Sequence, residues 1–373
     1  MLVERSNILK KIVFVLPGCP RIPVGGYVVV YEYANRLIDL GYTVTVIHHR
    51  KVIRGDPVAQ GALGPLKAQI IRLYNYCNKP SIHWHNIHKD VNLLYVPEPT
   101  EKYVPDADVV FATAWQTAEY VRKLSLSKGI KFYLIQHLET QSSPEERVKA
   151  TWLYPMHKVV IANWLYDAGI EIGVPERDIT HIPNGIDHKK YCLIHDIGKR
   201  PTRVAMMYSP YDFKGSSDGI KALEIAQQRY PELHALLFGT CARPRNLPDW
   251  IEYKQDPPQE FITQEVYNGS SIYLCPSWEE GWHLPSSEAM SCGCAVVSTD
   301  NGGVRDYAIN GETALLSPIK YPEGLADRLI ELLGNDKRRI ELAQNGYNYI
   351  QEFSWERSAS ALATLIEEAS KGY

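Results

Sequence analysis

The run Glu280-Gly-Trp-His-Leu-Pro-Ser-Ser-Glu288 sets two carboxylates seven residues apart, directly after an apolar stretch that ends at Cys275 and Pro276. The first carboxylate is expected on a loop at a strand's carboxyl end. The second is expected in the first turn of a helix over Pro285 to Cys292, where Pro suits the first position and Gly293 the stop. A sugar ring offers hydroxyls to the one acid and a ribose offers a diol to the other. Free backbone N–H groups at the helix start can also hold an anion. On spacing alone, a solvated loop acid and an ordinary helix N-terminal acid explain the same pattern equally well.

These residues need a scaffold. Short apolar runs alternate with amphipathic stretches, which predicts an α/β chain of parallel sheets covered by helices. Lys11 to Leu16, Thr43 to Ile47, Asp108 to Ala112, Lys131 to Ile135 and Lys158 to Ile161 read as strands of a first unit. A helix after the loop holding Gly18, Pro20, Pro23, Gly25 and Gly26 should run to Leu40 and stop at Gly41. Its expected buried face is Val30, Tyr33, Ala34, Leu37 and Ile38, although consecutive valines are poor helix formers. A second unit has expected strands at Arg203 to Tyr208, His234 to Phe238, Ile272 to Cys275 and Ala295 to Ser298. Its expected helices start near Ser216 and run over Pro322 to Leu333 and Asp336 to Phe353. The stretch from Ser354 places Leu362, Leu365, Ile366 and Ala369 on one face. A polar, turn-rich segment near 187–202 marks the boundary. The division read from this is a first lobe over 1–190, a second over 200–353, and a terminal helix over 354–373. Ligands of such folds sit at the carboxyl ends of the strands, so a cleft between lobes is the default site.

Composition narrows the class. The chain has 373 residues, 45% hydrophobic and 22% charged, which fits folded domains and excludes disordered, collagen-like and coiled-coil chains. No apolar run reaches the roughly 18 residues of a spanning helix. The first apolar run is too short for a signal peptide, and seven scattered cysteines are not a disulfide framework, so a cytoplasmic location is expected. The net charge of -3 argues against a nucleic-acid partner. Residues 1–190 nonetheless carry 23 basic and 18 acidic side chains, against 17 and 25 in residues 191–373. Two solvated surfaces explain this, and so does a basic first half facing a phosphorylated acceptor or, peripherally, an anionic membrane.

The stretch PSWEEGWHLPSSEAMSCGCAVVSTDNGGVRDYAINGETALL, residues 276–316, resembles the signature of the retaining, GT-B-fold glycosyltransferases of the large family four. Glu280 and Glu288 meet that family's E-x7-E pattern. The PNGID run at Pro183 to Asp187 resembles its hinge-proximal loop, Gly25 and Gly26 its glycine-rich first loop, and Lys214-Gly215 its phosphate-binding lysine. The segment from Pro105 to Glu139 resembles the first-lobe core of polysaccharide-assembling members. The resemblance implies two Rossmann-like lobes with a cleft between them and a C-terminal helix returning to the first lobe. It implies transfer of a sugar, with retention, from a nucleotide diphosphate donor to a glycan or lipid-linked saccharide in envelope polysaccharide assembly. Glu280 would bind the sugar hydroxyls, Glu288 the ribose and Lys214 the diphosphate. The backbone at Gly281 and Trp282 would line the sugar pocket, and Gly25 and Gly26 would let the first-lobe backbone approach phosphate and acceptor. No metal or other cofactor is implied, because a lysine and a helix N-terminus suit the departing charge.

Two positions depart from the family. Ser209 stands where many members carry an arginine, and His283 stands where a glycine is usual. Arg243, Arg245 and Arg305 are candidates to replace the missing cation, and His283 can reshape the sugar pocket. His137 ends the strand Lys131 to Ile135 and resembles a first-lobe polar residue near the reacting centre, though a lone histidine is more often a structural hydrogen-bonder. Trp115, Gln116 and Thr117 follow a strand end and can face the acceptor, with core packing as the competing reading for Trp115. His83, His85 and His88, with Cys77 nearby, have a spacing that zinc accepts, but no paired cysteine motif supports it. Cys292 and Cys294 read as structural. Base selection falls to the backbone around Tyr253 to Gln255. The rival functions are a nucleotide-sugar epimerase, a phosphorylase, which lacks its cofactor lysine here, and a non-catalytic sugar-binding protein.

Overall fold

The computed structural model describes residues 11–49, 66, 82–140 and 143–371. The chain forms two compact units, Met1–Asn184 with Trp355–Tyr373, and Gly185–Ser354.

The first unit is built on strands β1 (Lys11–Leu16), β2 (Thr43–His49), β3 (Asn92–Val96), β4 (Val109–Ala112), β5 (Ile130–Ile135), β6 (His157–Val160) and β7 (Ile179–His181). They lie in the order β3-β2-β1-β4-β5-β6-β7, and each adjacent pair is parallel. The central strands are apolar throughout because helices cover both faces of such a sheet. Phe14 on β1 pairs in register with Phe111 on β4, and Phe111 with Phe132 on β5, giving stacked rings 4.8 and 5.0 Å apart. Such pairs each add about 1 kcal/mol beyond their area.

Helix α1 (Gly25–Asp39) ends before Gly41, whose φ of 87° supplies the left-handed stop. Val28, Val29 and Val30 are helical despite their low propensity, because Val29 and Val30 are fully buried and tertiary packing outweighs it. Short helices α2 (Trp115–Val121), α3 (Glu145–Trp152) and α4 (Asn163–Ile172) follow β4, β5 and β6.

The second unit carries β8 (Arg203–Met207), helix α5 (Ser216–Arg229), β9 (His234–Gly239), β10 (Ile251–Gln255), β11 (Ile272–Cys275), helix α6 (Leu284–Ser291), β12 (Ala295–Thr299) and β13 (Ala314–Ser317). Helices α7 (Pro322–Leu333) and α8 (Asp336–Ile350) complete it. The strand order β10-β9-β8-β11-β12-β13 is again wholly parallel. Val204, Met206, Leu237, Leu274 and Val297 from four of these strands share a core with Leu223, Leu329 and Leu342 from the helices. Helix α9 (Trp355–Lys371) belongs to the first unit, where it packs on α1 and turns Trp355, Leu362 and Ile366 inward. The Trp355 ring meets Tyr33 of α1 edge-on at 5.6 Å.

In each sheet the chain winds outward in both directions from two adjacent central strands. The reversal falls between β1 and β4 in the first unit and between β8 and β11 in the second. Loops leaving the carboxyl ends of such strands diverge and leave a crevice.

Candidate functional site

The crevice of the second unit is formed by the loops after β8, β11 and β12. Lys214 closes a short turn over Asp212–Lys214, and Gly215 follows at φ 60° before α5 begins. A Cβ at Gly215 would collide with the Pro276 carbonyl, so only glycine lets the two loops approach this closely. The Trp278 N–H donates to the Phe213 carbonyl at 2.7 Å, and its indole N–H to Asp218 of α5, also at 2.7 Å. The Glu280 N–H donates to the Asn301 carbonyl at 3.0 Å. Gly303 lies so close that a Cβ would stand 2.7 Å from the Glu280 carbonyl oxygen.

These backbone ties bring together two groups 66 residues apart in sequence. The Lys214 Nζ donates to Glu280 Oε1 at 2.8 Å and to Oε2 at 2.9 Å. The Glu280 side chain is 7% exposed and that of Lys214 is 23% exposed. Burial works to raise the Glu280 carboxyl, but the Lys214 charge, the His283 ring and hydrogen bonds from Lys214 and Ser277 outweigh it and hold it down at about 2. Glu280 is therefore ionised at neutral pH and already gripped by a cation.

Helix α6 begins at Leu284, one residue earlier than expected, and this changes the place of Glu288. His283 is the N-cap at φ 66°, and its Nδ1 accepts from the Ser286 N–H at 3.2 Å. Glu288 consequently lies beyond the first turn, not within it. Its carboxylate is partly buried and accepts from the Tyr267 hydroxyl at 3.2 Å. Burial raises this carboxyl, against Lys190, Tyr191 and Tyr267, which favour the ionised form. The two glutamates thus differ in kind, one strongly acidic and ion-paired, the other weakly acidic and held by phenols.

Ser209 sits on the same loop as Lys214, and its N–H donates to Ser216 Oγ at 2.9 Å. Gly281 lies between the paired glutamate and Trp282, whose ring is buried against Tyr307 and Phe353. Arg243 is committed to the carbonyls of Leu247, Pro248 and Ile251, and Arg305 forks onto Asp300 at 2.6 and 3.0 Å. Both side chains thus have partners of their own within the second unit. Tyr253 to Gln255 lie on β10, where the Tyr253 hydroxyl donates to the Cys241 carbonyl at 2.7 Å.

In the first unit, Gly25 opens α1 beside the β1–β4 reversal, and the Gly26 carbonyl accepts from Gln136 Nε2 at 2.9 Å. His137 follows β5; its Nδ1 accepts from the Glu139 N–H at 3.1 Å and its ring stands edge-on to Trp164. Trp115 is fully buried against Val148 and under the Arg147 guanidinium, which is core packing and not an acceptor face. Thr117 Oγ1 accepts from the N–H groups of Thr113 and Ala114 at 2.9 and 3.0 Å, so it too is structural. His85 pairs with Glu32 at 3.4 Å, while Cys77 lies outside the described residues. Among the described residues no group of three His, Cys, Asp or Glu could hold a metal ion.

The sequence assigns no role to Tyr267, Ser277, Cys275 or Asn301. Only the Asn-Gly-Gly run at 301–303, which lets two loops touch, leaves a mark in the sequence.

Two parallel α/β units with a charged crevice at a strand-order reversal define the GT-B class of fold. Sucrose-phosphate synthase from Thermosynechococcus elongatus superposes with a TM-score of 0.72 over 98% of this chain and 100% of that one, at 17% identity. HepE of Anabaena, in complex with UDP-glucose, gives 0.72 over 96% of this chain and 100% of that one, at 16% identity. Residues 201–349, within the second unit, match the family model for glycosyl transferases group 1. The D-inositol 3-phosphate glycosyltransferase of Corynebacterium glutamicum (strain R) is 29% identical over 173 residues, 42% of this chain and 41% of that protein. The chain thus matches about two fifths of the length of such relatives.

Proposed function

We propose that the protein is a retaining glycosyltransferase that moves a sugar from a nucleotide diphosphate donor to a hydroxyl of a glycan or lipid-linked saccharide. The observation that carries this reading is the buried Glu280 carboxylate held in both oxygens by Lys214 at the reversal point of the second sheet. The two members of this pair suit the two halves of an activated sugar. Glu280 is a strong acceptor for sugar hydroxyls, and Lys214 is a mobile point charge for phosphate.

In this reading the bond between the anomeric carbon and the diphosphate oxygen breaks, and negative charge grows on the leaving group. Lys214 and the free N–H groups at the start of α5 stabilise that charge without a metal ion. The acceptor oxygen bonds to the anomeric carbon, and its proton passes to the departing phosphate. Glu288, oriented by the Tyr267 hydroxyl, holds the ribose. Gly25, Gly26 and His137 of the first unit serve the acceptor and the phosphate. The match of residues 201–349 to the glycosyl transferases group 1 model and UDP-glucose bound to a protein of similar fold support the donor class.

The test is thermal stabilisation by UDP, GDP and ADP and by their sugars, because a bound ligand stabilises the native state by mass action. Incubation with donor and an oligosaccharide acceptor, followed by NMR of the anomeric linkage, then reads the chemistry. Stabilisation by one nucleotide and a product of unchanged anomeric configuration are expected. An inverted product removes the retaining mechanism, and a sugar altered on the nucleotide without transfer points to an epimerase. The absence of any nucleotide effect overturns the reading.

A further inference from the structure

His283 occupies the position where glycine is usual in the family the sequence resembles, and its φ of 66° shows why: the backbone there is left-handed. Histidine stands there against that preference. The ring is 3% exposed. Its Nδ1 lies 2.7 Å from Ser286 Oγ and caps α6 through the Ser286 N–H, so the ring cannot turn freely. Nε2 stands 3.9 Å from Glu280 Oε1, within ion-pair reach and beyond a hydrogen bond.

The surroundings of the ring are mixed in charge. From β11 come the Cys275 thiol, which hydrogen-bonds the imidazole, and Tyr273, whose ring lies 6.3 Å away. From the loop after β8 comes Lys214; from its own loop, Glu280; from α6, Ser286 and Glu288; and from the segment after β12, Tyr307, whose hydroxyl donates to the His283 carbonyl. Burial opposes the imidazolium and so does Lys214, whereas Cys275 and Glu280 favour it, and the latter pair prevails.

With Lys214 on Glu280, the carboxylate has its cation. A diphosphate that draws Lys214 away leaves a 7%-exposed carboxylate with no other cation within 4 Å among the described residues except this imidazole. Protonating Glu280 would cost it the acceptor capacity the sugar hydroxyls need. Protonating His283 preserves that capacity. Nδ1–H then donates to Ser286 Oγ, giving up the Ser286 N–H it accepted, and Nε2–H stands 3.9 Å from Glu280 Oε1. We propose that His283 is a positioning residue that takes over from Lys214 as the positive partner of Glu280 when the donor binds. The proton comes from solvent; one passed from the neighbouring Cys275 thiol would give no net uptake. This inference rests on the donor-binding reading above.

The experiment is calorimetry at pH 8 with whichever of UDP, GDP and ADP stabilises the protein, in HEPES and in Tris, whose ionisation enthalpies differ. At that pH the nucleotide phosphates are already fully ionised. The wild type should take up between about half and one proton per nucleotide bound, and His283→Gln should take up none. Nucleotide binding without uptake, or equal uptake in His283→Gln, overturns the exchange while leaving donor binding intact. Failure of every nucleotide to bind overturns both. A second measurement needs neither ligand nor a folded His283 variant. In an NMR titration of the histidine rings, Lys214→Met should raise the His283 midpoint by at least about half a pH unit, as loss of a neighbouring cation demands. An unchanged midpoint overturns the proposal.

Discussion

Glu280→Gln separates the two duties of the clamp. In the unliganded protein Lys214 is not free for phosphate, since both Glu280 oxygens hold it at 2.8 and 2.9 Å. Unit charges at that distance attract by about 6 kcal/mol at an effective dielectric near 20. Most of this is offset by desolvation, and a charge-assisted hydrogen bond of this kind nets about 1.5–3 kcal/mol. A diphosphate must displace that interaction before it gains Lys214. Glutamine has the same shape but no charge, so it releases the ammonium group. Nucleotide diphosphate affinity should therefore tighten by about tenfold, equivalent to 1.4 kcal/mol. Turnover should fall by at least about a hundredfold, because the acceptor of the sugar hydroxyls is lost. Calorimetric titration with the stabilising nucleotide gives the first number, and initial rates with the matching nucleotide sugar give the second. Weaker or unchanged nucleotide binding would refute the clamp as a competitor of phosphate. Near-normal turnover would remove Glu280 from the sugar site.

The depressed Glu280 carboxyl also predicts acid sensitivity. Its value falls from 4.5 unfolded to about 2 folded, so its contribution of about 3 kcal/mol is complete above pH 4.5 and is lost as pH falls towards 2. Melting curves between pH 6 and 3 should drop more steeply for the wild type than for Glu280→Gln; parallel curves would contradict the ion pair. Arg200 is 6% exposed and donates to the carbonyls of His195, Tyr267 and Ser270 and to Asn268 Oδ1, tying the segment before β8 to the turn that carries Tyr267. Arg200→Met should cost about 3 kcal/mol or more by orphaning these acceptors, read as a fall in melting temperature. Gly215→Ala should destabilise by about 1–3 kcal/mol and weaken nucleotide binding by displacing Lys214; unaltered affinity would show that the loop absorbs the methyl group elsewhere.

The strands legible from the sequence were those buried on both faces. β1, β2, β4, β5, β6, β8, β9, β11 and β12 are apolar runs with turn residues at their ends, and their bounds were read to within about two residues. Four strands were not read: Asn92–Val96, Ile179–His181, Ile251–Gln255 and Ala314–Ser317. All four lie at sheet edges. An edge strand has a neighbour on one side only and needs no continuous apolar run, so its pattern does not stand out from a loop. The short helices α2, α3 and α4 were missed because seven to ten residues give too few turns for a clear period.

At the site the division is similar. The Glu280 to Glu288 spacing and the Lys214-Gly215 pair are contiguous signals, and the residues themselves carry them. Which partner each acid keeps is not local. Lys214 reaches Glu280 only because β8 and β11 are neighbours across the reversal of strand order, and Gly215 and Gly303 let the loops touch. Tyr267 reaches Glu288 from a π-helical turn no motif announces. Sequence alone decided the residue types, the central strands and the two-unit α/β plan, because burial on both faces and turn chemistry are written locally. Tertiary structure alone decided that one glutamate is a clamped, strongly acidic group and the other a phenol-held, weakly acidic one, because charge state depends on what the fold brings within a few ångströms and shields from water.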